Sequence, residues 1–94
     1  MFDITIADGG EVRLSGRFDA TQVERARGEF NRIVSSCTVN FEGLDYISSA
    51  GLGLLLGVQK RLLGSGGKLK LVGLNRHIRE VFQIAGFDQV FEIE

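Results

Sequence analysis

Two adjacent hydroxyls, Ser48 and Ser49, stand directly before an apolar, glycine-rich run, Ala50-Gly51-Leu52-Gly53-Leu54-Leu55-Leu56-Gly57-Val58. Two kinds of chemistry suit that arrangement. A serine at the start of a helix caps it, because its hydroxyl oxygen accepts a backbone N–H that the first turn leaves without a partner. A serine there can also carry a phosphate, which adds about −1.5 to −2 charges and three acceptor oxygens. The positive end of the helix dipole would receive that charge. On position alone, capping is the commoner role. Gly51 raises a further possibility, since a glycine near a helix start leaves room for another backbone or for a phosphate. Gly53 and Gly57 lie four apart and share a helical face. Each costs about 1 kcal/mol against alanine, and close packing of that face on a sheet is the expected reason for them.

Other chemistries fit the residues poorly. Gly51-x-Gly53 follows a strand and opens a helix, as a dinucleotide loop would. The third glycine, however, falls at position 57, with Leu56 where the fingerprint needs it. Gly66-Gly67-Lys68 lacks the following Ser or Thr of a phosphate loop and leads from helix into strand. His77, the single histidine, sits between Arg76 and Ile78 on the expected outer face of a helix, where solvation is its ordinary state. No Cys/His cluster has metal-ligand spacing. Glu42 and Asp45 flank the serines, but no base is placed to activate a hydroxyl. Catalytic residues, a metal and a cofactor are therefore not expected, and the chain reads as a binding protein rather than an enzyme. A nucleotide-binding regulatory domain stays as an alternative, on Gly51 and Gly53.

The elements that must position the serines follow from periodicity. Phe2, Ile4 and Ile6 alternate with Asp3 and Thr5 as a half-buried strand. Asp8-Gly9-Gly10 turns the chain. Val12 and Leu14 alternate with Arg13 and Ser15 in a second strand, pairing with the first as a hairpin. Asp19 is a good N-cap, Gln22 is spaced for a capping box, and Phe18 and Val23 for a hydrophobic staple. Val23, Ala26, Phe30 and Ile33 then repeat at helical spacing, and that helix is expected to end near Val34 to Ser36. Cys37, Val39 and Phe41 form a third strand, and Glu42 to Ile47 lead out of it. The second helix runs from Ser48–Gly51 to about Leu63, where Gly64-Ser65-Gly66-Gly67 stops it. Leu69, Leu71 and Val72 form a fourth strand. Asn75 caps a third helix with Ile78, Val81, Phe82 and Ala85 as its buried face, and Gly86 follows at C′. Val90, Phe91 and Ile93 close the chain as a fifth strand. Strands alternating with helices imply crossover connections and a parallel or mixed sheet in an α/β fold.

Composition narrows the function classes. The 94 residues suit a single domain spanning 1–94, and the formal net charge of −1 comes from mixed signs without a basic block. No nucleic-acid surface is expected. Lys60-Arg61 and the arginines from Arg76 to Arg79 read as solvated helix faces. Cys37, the one cysteine, has no disulfide partner in the chain and reads as a small core residue. The first residues lack a signal-peptide pattern, and the longest apolar run is shorter than the roughly 20 residues of a membrane span. A cytoplasmic protein without direct membrane insertion is the expectation.

The stretch Tyr46-Ile47-Ser48-Ser49-Ala50-Gly51-Leu52-Gly53 resembles the central motif of the STAS domain family, in its bacterial anti-sigma factor antagonist branch, and the likeness covers essentially the whole chain. Gly16-Arg17-Phe18-Asp19 resembles the family's element before the first helix, and Val39-Asn40-Phe41 its strand before the serine loop. Leu71-Val72-Gly73-Leu74, Val81 and Ala85-Gly86-Phe87-Asp88 resemble its C-terminal third. The resemblance implies a mixed sheet of about five strands with helices packed largely on one side. It implies a partner, an anti-sigma factor that is often a serine kinase. The unphosphorylated antagonist binds it, phosphorylation of the serine loop breaks the complex, and a serine phosphatase resets it. The better-studied members read Asp-Ser-Ser-Gly, with the serine directly before the glycine as acceptor. Here Ala50 holds that position, which moves the expected phosphorylation to Ser49, with Ser48 second. The partner surface implied comprises Arg17, Phe18 and Asp19 together with Ser48, Ser49, Ala50, Gly51 and Gly53. The alternative within the family is a STAS subunit that is never phosphorylated and serves as a scaffold in a lipid-transport or other membrane-associated complex; Ala50 is the residue that motivates it.

Overall fold

A computed structural model describes residues 1–94. The hairpin forms as the alternation predicts: β1 (Phe2–Ile6) runs antiparallel to β2 (Val12–Phe18). The chain then alternates helix and strand through α1 (Val23–Phe30), β3 (Cys37–Ile47), α2 (Ser49–Leu63), β4 (Leu69–Val72), α3 (Arg76–Ile84) and β5 (Glu92–Ile93). The sheet order is β1-β2-β3-β4-β5, with β2 to β5 mutually parallel, so the sheet is mixed and five-stranded. Each parallel strand is laid down beside the one before it. Successive right-handed crossovers in one direction put every helix on the same face. Residues of that face, such as Val12, Leu14, Val39, Phe41, Leu69 and Leu71, are buried. Arg13, Ser15, Arg17 and Glu42 point from the opposite face and are exposed.

The core joins this covered face to Ala26 and Phe30 of α1, Leu52, Leu55, Val58 and Leu62 of α2, and Ile78 and Phe82 of α3. Phe2 stacks on Phe18 with ring centroids 4.7 Å apart, and Phe82 meets Phe41 and Phe91 edge-on at 6.0 and 5.7 Å. Burying one such ring contributes roughly 1.5–3 kcal/mol. No helix is long and apolar enough to cross a membrane.

Several elements depart from the periodicity reading. β2 continues through Gly16 to Phe18, because Gly16 takes a left-handed φ of 82° and lies so close to the Met1 carbonyl that no side chain fits. β3 continues through Glu42–Ile47, with register shifts against β2 where loop was expected. A third-strand residue without a side chain, Gly43, lets Leu14 and Ser15 of β2 approach there. α1 ends at Phe30 rather than near Val34; Ile33 is still buried, but from the following turn. Ala85 is exposed, because α3 stops at Ile84 and turns the chain through Gly86 (φ 77°). Only Glu92–Ile93 pairs as β5, since a 3₁₀ turn at Phe87–Gln89 takes up the preceding residues.

Candidate functional site

The serines lie at the carboxyl end of β3, where parallel strands hand over to helices and ligand sites of open α/β sheets collect. The handover is fixed from β2. In the final ladder pairs Arg17 faces Tyr46 and Phe18 faces Ile47. The Ser48 N–H then donates to the Phe18 carbonyl at 2.9 Å. Ser48 is extended (φ −85°, ψ 166°), and its Oγ accepts from the Gly51 N–H at 3.1 Å. Its carbonyl accepts the first helical bond, from Leu52 N–H at 3.0 Å. Ser48 is therefore the N-cap of α2, with a half-buried hydroxyl already engaged.

Ser49 and Ala50 occupy the next two positions and are exposed. The Ser49 hydroxyl has no hydrogen-bond partner, and no acidic residue lies in the first turn of α2. The N–H groups of these two positions precede the first helical bond, made by Leu52 N–H, and so have no carbonyl of α2 to donate to. Gly51 is buried instead. A Cβ there would stand 3.0 Å from Ile47 Cγ1 and 3.2 Å from the Phe18 ring. The space this glycine leaves is filled by the protein's own core, not kept for another backbone or a phosphate.

Gly53 and Gly57 reverse the expectation of close packing. A Cβ at either would meet nothing within 4 Å. They do share a face, but it lies opposite the buried stripe of Leu52, Leu55, Val58 and Leu62. With Ala50, Val23 and Arg27 they border an open groove of about 390 Å³ between α1 and α2.

The segment before α1 is brought to the same end of the sheet. Phe18 is 0% exposed, so it supports the site from below and presents nothing to a partner. Arg17 is exposed, with its guanidinium carbon 4.3 Å from the Tyr46 ring centroid. Asp19 is half-buried and caps the short 3₁₀ turn Ala20–Gln22, accepting from Thr21 N–H at 3.0 Å. The capping box is absent: the Gln22 side chain turns to the Thr21 hydroxyl and α1 has no side-chain cap. The Thr21 hydroxyl donated to Asp19 holds that carboxyl below its usual range, and the Thr21 N–H and the Arg17 charge act in the same direction.

Two polar residues escaped the sequence reading. Gln59 is 3% exposed; its Oε1 accepts from Leu69 N–H and its Nε2 donates to the Val90 carbonyl, both at 2.8 Å. Arg61, expected as part of a solvated face, donates to the Ile33 and Phe30 carbonyls at 2.7 and 2.9 Å and so closes the end of α1. His77 and Lys60 are exposed as expected. Cys37 is half-buried rather than core, and burial raises its thiol above the usual value.

Comparison with known proteins bears on this arrangement. The family model described as "Mlab, STAS domain" matches residues 5–93. The anti-sigma F factor antagonist of Lysinibacillus sphaericus is 34% identical over 80 residues, covering 80% of this chain and 68% of that one. BtrV of Bordetella bronchiseptica is 52% identical over 50 residues, which make up 53% of this chain and 43% of BtrV. Among solved structures, the Bacillus cell fate determinant SpoIIAA in its phosphorylated form superimposes with a TM-score of 0.72 at 25% identity, covering 100% of this chain and 91% of SpoIIAA.

Proposed function

The chain belongs to the STAS domain family and is homologous to anti-sigma factor antagonists, and on that premise we propose that it binds an anti-sigma factor through the N-terminal end of α2 and lets go when Ser49 is phosphorylated. The observation that carries this reading is the contrast between neighbours. Ser48 has its hydroxyl engaged as a cap, Ala50 has none, and Ser49 offers an exposed hydroxyl without a partner. A SpoIIAA structure in the phosphorylated form supports the view that this fold tolerates a phosphate.

The physical consequences follow from position. The kinase transfers the γ-phosphoryl group of ATP to Ser49 Oγ; the P–O bond to ADP breaks and the hydroxyl proton is released. The product phosphate meets first-turn N–H groups and the positive end of α2, so the fold can carry it. A partner carboxylate docked there would face about two new negative charges and be repelled. A serine phosphatase would restore the binding form. The activity proposed is binding, with no reaction on the antagonist's side beyond accepting and losing the phosphate.

The test is to incubate the protein with its cognate anti-sigma factor kinase and Mg-ATP and to map the product by mass spectrometry. Phosphate on Ser49 is expected. An active kinase that labels neither Ser49 nor Ser48 overturns the switch, and stable binding without labelling would favour the unphosphorylated scaffold that Ala50 suggests. In parallel, Ser49→Asp is expected to weaken binding and Ser49→Ala to retain it; equal affinity of the two variants contradicts release by charge.

A further inference from the structure

We infer that Arg17, held over the ring of Tyr46, is an anchoring residue for a carboxylate side chain of the protein partner. The inference rests on the functional reading above and assigns a chemistry to one edge of the same surface.

Eleven side chains of the protein are lysine or arginine. Seven of them pair with a carboxylate: Arg13, Arg25, Arg27, Arg32, Lys68, Lys70 and Arg76. Arg61 and Arg79 donate to backbone carbonyls. That leaves Lys60, on the outer face of α2, and Arg17. The backbone N–H of Arg17 donates to the Met1 carbonyl at 2.9 Å, but Arg17 is the one arginine whose guanidinium N–H donors meet no acceptor. The acid nearest in sequence, Asp19, already accepts the N–H and hydroxyl of Thr21.

Arg17 is nevertheless placed. Strand alternation sends Phe18 into the core and Arg17 to the open face, and the ladder sets it opposite Tyr46 with 4.3 Å between guanidinium carbon and ring centroid. A cation over an aromatic face uses the ring's quadrupole and leaves the N–H donors at the rim of the guanidinium available. A planar fork of free donors on a rigid platform is suited to bidentate recognition of a carboxylate. Arginine and tyrosine are also the side chains that dominate binding energy at protein interfaces. The position is continuous with the serine loop, because the next residue along β2 holds the Ser48 N–H. Negative charge added at Ser49 and loss of the carboxylate contact at Arg17 would then act together on the same partner.

The experiment measures affinity for the anti-sigma factor used in the kinase assay, by calorimetry at two salt concentrations. Arg17→Ala is expected to weaken binding about tenfold or more, equivalent to about 1.4 kcal/mol, and Arg17→Glu to weaken it further. Arg17→Lys should recover only part of the loss, because an ammonium lacks the fork, and Tyr46→Ala should lose several-fold. Lys60→Ala, the other cation without a partner, should bind as wild type. Circular dichroism melts of the Arg17 variants should match wild type, since the side chain is exposed. If wild type does not bind, the functional reading falls and the inference with it. If wild type binds and Arg17→Ala and Arg17→Glu bind equally well, the inference alone is overturned. It is also overturned if Arg17→Ala binds normally but phosphorylated protein no longer releases the partner, for then Arg17 serves the phosphate of its own chain.

Discussion

The second half of α2 is tied by side-chain hydrogen bonds to three neighbouring segments, whereas its first turn is held only from below. Toward the C-terminus, Gln59 joins the helix to the start of β4 and to the segment before β5, and Arg61 joins it to the end of α1. Those polar groups are all engaged. At the N-terminus, Gly51 rests on Phe18 and Ile47, and Ser48 closes the cap. Above that apolar base the Ser49 hydroxyl and the Arg17 guanidinium have no hydrogen-bond partners. Under the proposed function, the difference places stability and recognition on different residues within a few turns of one helix. A rigid base with open polar groups also loses little conformational freedom when a partner docks.

The largest expected effect lies beneath the proposed binding end, not on it. Phe18→Ala removes a fully buried ring that stacks on Phe2. A loss of about 3–5 kcal/mol is expected in urea unfolding. A loss under about 1 kcal/mol would mean that this base does not hold the helix start. Gln59→Leu comes next. It keeps the volume but leaves the Leu69 N–H and the Val90 carbonyl without their partner. The expected cost is about 1–3 kcal/mol, with anti-sigma factor affinity unchanged. Altered affinity in the folded Gln59→Leu protein would show that the two ends of α2 are not separable.

How much of this was legible in the sequence depended on the range of each interaction. The Ser48 and Asn75 caps follow from residue type and position, because the bond is made within three residues. The alternation in β1 and β2 and the order of elements are equally local. The bonds of Gln59 to Val90 and of Arg61 to Phe30 join residues 31 apart in sequence, and nothing in a helical period signals them. Arg17 and Tyr46 meet only through the register of β2 on β3. A long strand at Cys37–Ile47 was hidden because Glu42-Gly43 has the composition of a loop, although the glycine serves close strand approach. The glycines of α2 show the limit of spacing arguments. Their common face is readable, but which way it turns depends on where the leucines point.

That orientation carries its own prediction. Gly53→Ala adds a methyl where nothing lies within 4 Å. Replacing an interior helix glycine in open space should stabilise the protein by up to about 1 kcal/mol. Ser48→Ala should cost about as much, roughly 0.5–2 kcal/mol, through loss of the N-cap. Thermal unfolding followed in parallel checks both signs, and a stabilising Ser48→Ala would remove the cap from the account of this loop.

Ser49→Ala is the smallest expected change in stability and the most telling one beside its neighbour. The Ser49 side chain is exposed and makes no hydrogen bond, so its loss should fall within about 0.5 kcal/mol. Under the proposed switch, Ser49→Ala keeps full partner affinity yet can no longer be released by kinase and ATP. Ser48→Ala should show the reverse pattern, a less stable protein that is still phosphorylated and released. Two adjacent hydroxyls thus separate by opposite readouts. If Ser48→Ala is the variant that blocks release, the cap hydroxyl is the acceptor, and the first turn of α2 must open before the phosphate can be transferred.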